Sequence, residues 1–170
     1  MALKEIIILP DKRLRLVSKP VDKITPEIRK LVDDMFETMY SAQGIGLAAP
    51  QVAVSKRVTV IDLSGGKDPE QKIVLVNPEV TFREGKQYEE EGCLSFPEIR
   101  EKVQRAAQVK VRAQDLQGKW FELDGEELLA RAFQHEIDHL DGTLFIFRMS
   151  ALKRDLVLRK IRKMQREGTW

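Results

Sequence analysis

The 170 residues contain only one cysteine and two histidines. A lone thiol cannot close an internal disulfide, so the fold has to hold without covalent cross-links. The same shortage argues against a structural zinc site, which normally fills four protein positions from this donor set. Also missing is any apolar run near the roughly 20 residues that a membrane-crossing helix requires. The opening MALKEIIILPDKRLRLV sets an acid beside its short apolar stretch and lacks a small-residue cleavage site, so a cytoplasmic location is expected. The formal net charge is only +2, which disfavours a nucleic-acid coat or a membrane-surface protein and makes any basic docking patch a local one. Repeats, low-complexity segments and domain-separating linkers are absent as well.

With 42% hydrophobic and 33% charged residues, the chain is expected to form one compact domain over 1–170, large enough to bury a core and a sequestered site. Thr25-Pro26-Glu27 predicts a helix start, with threonine capping, proline in the first turn and an acid at the positive end. Ile28, Leu31, Val32, Met35 and Met39 recur at helical spacing, and this helix is expected to reach Gln43 and stop at Gly44. Strands are expected over 57–63, 72–76, 79–88, 108–115 and 119–123, with turns at Ser64-Gly65-Gly66 and Gln117-Gly118. Asp124 and Glu127 resemble a capping box opening a second helix. A basic helix over 150–167 completes an α+β fold, mostly antiparallel and packed around that second helix.

The second helix carries His135-Glu136-Ile137-Asp138-His139, the HExxH pattern. Residues four apart stand one above the other on a helix, so both imidazoles aim at the same point and one rigid element supplies two metal ligands. Glu136 lies beside that face, within reach of a proton from water activated there. Leu128, Ala132, His135 and His139 share one face, and Leu129, Phe133, Ile137 and Leu140 the opposite one. Only a stripe with Glu127, Gln134, Asp138 and Asp141 is left for solvent or hydrogen bonds, which predicts a helix through the middle of the molecule. A metzincin would add a third histidine six residues on, but Phe145 occupies that position. Cys93, in Glu91-Gly92-Cys93-Leu94-Ser95, admits three readings: a buried filler, a reactive thiol or a metal ligand. As a ligand with His135 and His139 it gives three protein donors and an open fourth position, the catalytic arrangement.

Three separated segments now resemble one family in order and spacing: Gly44-Ile45-Gly46-Leu47-Ala48-Ala49-Pro50-Gln51, Glu91-Gly92-Cys93-Leu94-Ser95 and the HExxH segment. They are similar to the peptide deformylases. ILPDKRLR near the start and Asp141-Gly142-Thr143-Leu144-Phe145 extend the likeness over most of the chain, in the longer bacterial form with a C-terminal helix. The resemblance implies removal of the N-formyl group from N-formyl-methionyl nascent peptides with release of formate. It implies one divalent ion, Fe2+ in the first place with Zn2+, Ni2+ or Co2+ as substitutes, held by Cys93, His135 and His139. Two imidazoles and a thiolate do not themselves select iron. Glu136 becomes the general base and acid, and the Gln51 amide and Leu94 backbone N–H the oxyanion donors. Gln51 could otherwise be a loop glutamine bonded to backbone. Gly44, Ile45 and Gly46 would let the peptide lie alongside as an added strand, with Gly92 on its other side, and Leu128 and Ala132 would line the methionine pocket.

The resemblance also implies that Glu91 pairs with an arginine, for which Arg105 and Arg100 are the candidates, and steadies the cysteine loop. Arg131 either snorkels outward or lines the pocket mouth. Asp138 and Asp141 either orient the histidines or form the wet side of the helix. In the tail, Val157, Leu158, Ile161 and Met164 make one stripe while Arg159, Arg162, Lys163 and Arg166 face away. That pattern fits a docked amphipathic helix, and the resemblance favours ribosome docking through the basic face. The rivals are a metal endopeptidase, which shares HExxH chemistry but needs a cleft open on both sides of the scissile bond, and a non-enzymatic ribosome-binding module.

Overall fold

The computed structural model describes residues 2–170. Helix α1 spans Pro26–Ser41, capped by the Thr25 hydroxyl, which accepts from the Ile28 N–H at 3.3 Å. It ends before Gln43, and Gln43 itself takes the left-handed conformation at φ 59°. Gly44 packs close to the loop that carries Leu94: a Cβ there would lie 2.7 Å from Leu94 Cδ1, and that side chain would have to shift. The short strand β1, Gly46–Ala48, was not foreseen; it forms the edge of a five-stranded antiparallel sheet in the order β1-β2-β3-β6-β7. The other strands of that sheet are β2 (Val58–Ile61), β3 (Ile73–Glu84), β6 (Gln108–Gln114) and β7 (Trp120–Glu126).

Two expected strands, 72–76 and 79–88, merge into β3 and then break. Asn77, at φ 52°, bends the strand without ending it, and its side-chain amide bonds to both the N–H and the carbonyl of Val21. Gly85, at φ 70°, supplies the true turn. After it come β4 (Gln87–Cys93) and β5 (Phe96–Arg105), a separate two-stranded hairpin whose second strand the sequence pattern did not reveal.

Helix α2, Glu127–Leu140, begins later than the Asp124–Glu127 pair predicted. Asp124 belongs to β7, opposite Lys110, and the pairing with β6 continues to Glu126. A side-chain cap contributes only about 1 kcal/mol, and two further ladder positions with an opposed charge pair outweigh it. The helix then runs between the two sheets. Ala130, Phe133 and Ile137 pack on Ile61, Leu75, Val109 and Val111 of the large sheet, while the opposite face meets the hairpin. The stripe left for solvent or hydrogen bonds divides: Gln134 and Asp138 are each 7% exposed and hydrogen-bonded, while Glu127 and Asp141 are exposed.

Helix α3, Ala151–Glu167, is capped by Ser150 and lays Val157 and Ile161 on Phe96, Val103, Leu144 and Phe145. Ile161→Ala is therefore expected to lower unfolding free energy in urea by about 2–5 kcal/mol. The same change at exposed Leu152 should stay within about 0.5 kcal/mol.

Candidate metal centre

Strand β4 and helix α2 bring Cys93, His135 and His139 together, their ligand atoms all within 4.8 Å of one another. Cys93 stands at the tip of the β4–β5 hairpin, where Leu94-Ser95 forms the turn before Phe96. Its Sγ lies 3.4 Å from His139 Nε2, which lies 3.2 Å from His135 Nε2. Ligand bonds of about 2.0–2.3 Å at tetrahedral angles place neighbouring donors about 3.3–3.6 Å apart, so the spacing suits one small cation. The surroundings favour positive charge at this point. Burial disfavours a charged His135, yet Glu136, Cys93 and Glu91 outweigh it and raise its affinity for a proton well above the ordinary range. His139 is driven the other way, by burial and by His135 beside it. Its Nδ1 has no hydrogen-bond partner among the described residues. Three electron-pair donors facing one another in a buried site, ringed by carboxylates, fit a divalent metal.

Glu136 is 5% exposed and its Oε1 has no hydrogen-bond partner among the described residues. Burial, reinforced by Glu91 and Asp138 and opposed by His135 and Arg105, pushes its carboxyl up to about 7. Strand β1 presses on it: a Cβ on Gly46 would lie 2.5 Å from Glu136 Oε2. Gln51, in the turn after β1, is 1% exposed. Its Oε1 accepts from the Ala48 N–H at 3.0 Å, which fixes the amide so that Nε2 donates to Ser95 Oγ at 3.1 Å and faces Cys93 Sγ at 3.7 Å. The N-terminal arm fastens both loops, with Ile7 N–H on the Gln51 carbonyl and Leu9 N–H on that of Ser95. Ser95 carried no role in the sequence reading, although it sits in a quoted motif.

Cys93, His135, Glu136 and Gln51 line a cavity of about 570 Å³ whose walls include Gly44, Ile45, Gly46, Gly92, Leu94, Leu128 and Ala132. Leu128 is half exposed at its rim. Phe96 and Ile99 of β5 add apolar lining that went unforeseen because that strand did.

Behind the ligands lies a cluster of buried charges. Glu91 Oε2 accepts from His135 Nδ1 at 2.5 Å and from Arg105 Nη2 at 2.6 Å. Arg105 is its partner; Arg100 reaches Glu90 instead. Arg131 does not snorkel outward: it is buried, it is among the residues lining the cavity, and its Nη1 donates to Glu91 Oε1 at 2.7 Å. The Asp138 carboxylate binds Arg105 and Arg148 and that of Asp141 binds Arg57, rather than a histidine ring. Burial would raise the Glu91 carboxyl, but its bonds to His135 and Arg105 prevail and hold it well below the ordinary range. Because the folded value is depressed, the stability Glu91 contributes is present above its unfolded value of about 4.3 and is lost as pH falls beneath it. Arg105→Met leaves a buried carboxylate short of its partner and should cost about 3–5 kcal/mol in urea unfolding at pH 7. That penalty should shrink on acidification below about pH 4.

A sequence model of the polypeptide deformylase family matches residues 3–155. The peptide deformylase of Acidobacterium capsulatum is 68% identical over 170 residues, covering 100% of both chains. That of a Bradyrhizobium strain is 57% identical over 168 residues, covering 96% of each. Among solved structures, the Legionella pneumophila peptide deformylase superposes with a TM-score of 0.91 at 48% identity, covering 98% of each chain. The Synechococcus elongatus enzyme in complex with actinonin gives 0.88 at 40% identity, over 92% of this chain and 86% of that one. With an HExxH helix, a cysteine hairpin and a glycine-rich edge strand arranged as described, and with matches this extensive, the chain belongs to the peptide deformylase family, hydrolases that remove the N-formyl group from nascent peptides.

Proposed function

We propose that this chain deformylates N-formyl-methionyl nascent peptides in the cytoplasm, with Cys93 Sγ and the Nε2 atoms of His135 and His139 holding one divalent cation. The observation that carries the proposal is the convergence of those three atoms next to a cavity that Cys93, His135 and the buried Glu136 line. Fe2+ is proposed as the physiological ion, and the donor set also suits Zn2+, Ni2+ and Co2+. Bound there, the cation supplies Lewis acidity, polarising the formyl carbonyl and easing loss of a proton from water.

The remaining work falls to the protein. Glu136, with a buried oxygen that no described residue hydrogen-bonds, accepts the proton of the attacking water and returns it to the departing amine. A C–O bond forms at the formyl carbon, the C–N bond breaks, and formate and a free amino terminus leave. The developing oxyanion is met by the Gln51 Nε2–H and the Leu94 backbone N–H, donors typically contributing about 3 kcal/mol each. Ala48 pre-sets the Gln51 amide, so little reorganisation is needed. The peptide adds as a strand along the free edge of β1 at Gly44, Ile45 and Gly46, opposite Gly92, and the methionine side chain packs on Leu128 and Ala132. Gly46 has to lack a side chain because Glu136 occupies that space.

The ribosome is proposed as a partner through α3, whose Arg159, Arg162, Lys163 and Arg166 are exposed while Val157 and Ile161 anchor the helix. Because that anchor is part of the core, the charges should be neutralised without removing the helix. Replacing these four by glutamine should weaken ribosome co-sedimentation and flatten its salt dependence, while turnover of a free formyl-peptide persists; unchanged salt-sensitive binding would count against it. At the site itself, Glu136→Gln should retain one metal per chain and lose at least about 10²-fold in kcat for formate release from formyl-Met-Ala-Ser. Cys93→Ala should lose the metal, and a Glu136→Gln protein that still turns over normally would refute the assigned role.

A further inference from the structure

We infer that Arg131 is a positioning residue of the metal centre: with Arg105 it fixes the Glu91 carboxylate, and through that carboxylate it sets the His135 ring and the docking of the cysteine hairpin on α2. The inference rests on the metal-centre reading above. Arg131 precedes His135 by one helical turn, and its side chain is 3% exposed. All three of its nitrogens donate into the hairpin: Nε to Gln87 Oε1 at 3.1 Å, Nη1 to Glu91 Oε1 at 2.7 Å, and Nη2 to the Val103 carbonyl at 2.9 Å. Gln87 and Glu91 lie on β4 and Val103 on β5, so one guanidinium joins the helix to both strands.

Glu91 stands two residues ahead of Cys93 on the same strand. Four donors share its two oxygens. Oε1 receives Arg105 Nε at 3.1 Å and Arg131 Nη1 at 2.7 Å; Oε2 receives Arg105 Nη2 at 2.6 Å and His135 Nδ1 at 2.5 Å. Arg105 belongs to β5, so its bonds to Glu91 are internal to the hairpin. Only Arg131 and His135 reach this carboxylate from the helix. With Nδ1–H donating to Glu91, the His135 Nε2 lone pair is left facing Cys93 and His139. Removing Arg131 takes away the shorter bond on Oε1 and frees the carboxylate to rotate, loosening the ring it orients. Apolar residues often serve stability as well as a buried ion cluster does. A three-pronged cation at this position is better explained by the geometry it imposes.

The test uses cobalt-loaded full-length protein: wild type, Arg131→Met, Arg131→Lys, Glu91→Gln and the Arg131→Met/Glu91→Gln double variant. Circular dichroism reports the fold, the visible bands report the ligand field, and an excess of EDTA gives the rate of metal release. Outer partners of metal ligands typically govern metal affinity by about 10- to 100-fold. Arg131→Met is expected to release cobalt about 10-fold faster or more, with displaced visible bands and a loss in kcat at unchanged KM. Arg131→Lys should recover part of this, and adding Arg131→Met to Glu91→Gln should change the release rate little. A folded Arg131→Met protein with wild-type release and bands, or an equal acceleration in both backgrounds, overturns the inference. If Arg131→Met does not fold, wild-type release from Arg131→Lys overturns it instead. Failure of the wild type to take up cobalt would reject the metal-centre reading itself.

Discussion

Three electron-pair donors from two separate elements must meet within the span of one cation, and most of the molecule can be understood as meeting that constraint. The helix solves half of it locally, because a spacing of four residues stacks His135 over His139. The other half is a long-range problem, since Cys93 arrives on a two-stranded hairpin with little sheet of its own to hold it. The solution is electrostatic and buried. Glu91, on the hairpin, receives His135 and Arg131 from the helix and Arg105 from its own neighbouring strand. Asp138, back on the helix, takes the remaining reach of Arg105. The charged cluster thus fastens the cysteine hairpin to the histidine helix at several points.

The same economy of elements shapes the open side of the site. Strand β1 approaches so closely that only glycine fits at position 46, which brings backbone and Glu136 together in the lining of the cavity. Gln51 follows in the next turn, its amide held by Ala48 and aimed at the cysteine hairpin. The N-terminal arm then bonds to both the Gln51 and Ser95 carbonyls, so residues at the very start of the chain stabilise loops around the centre.

How much of this the sequence disclosed depended on whether the determining interaction was local. The two histidines, Glu136 and helix α1 with its Thr25 cap follow from short spacings, and the structure places them as those spacings require. The buried stripe of α3 was legible for the same reason. Strand β5 was not, because Phe96–Arg105 mixes charged and apolar residues and is a strand only by pairing with β4. The start of α2 was misplaced because Asp124 carries a capping signal that the β6–β7 ladder overrides. Gln134, Asp138 and Arg131 look like surface residues on a helical wheel, and only the charges opposite them in the folded chain explain their burial. The choice of Arg105 over Arg100 is of this kind too: strand direction decides which guanidinium turns inward.

The central claim is that one thiolate and two imidazoles bind a single ion and leave room beside Glu136 for water. X-ray absorption on the metal-loaded protein reads this directly. The account predicts one sulfur neighbour at about 2.3 Å, two imidazole nitrogens at about 2.0–2.1 Å and a light, exchangeable fourth neighbour. A first shell without sulfur, or one closed by a fourth protein side chain, would contradict it.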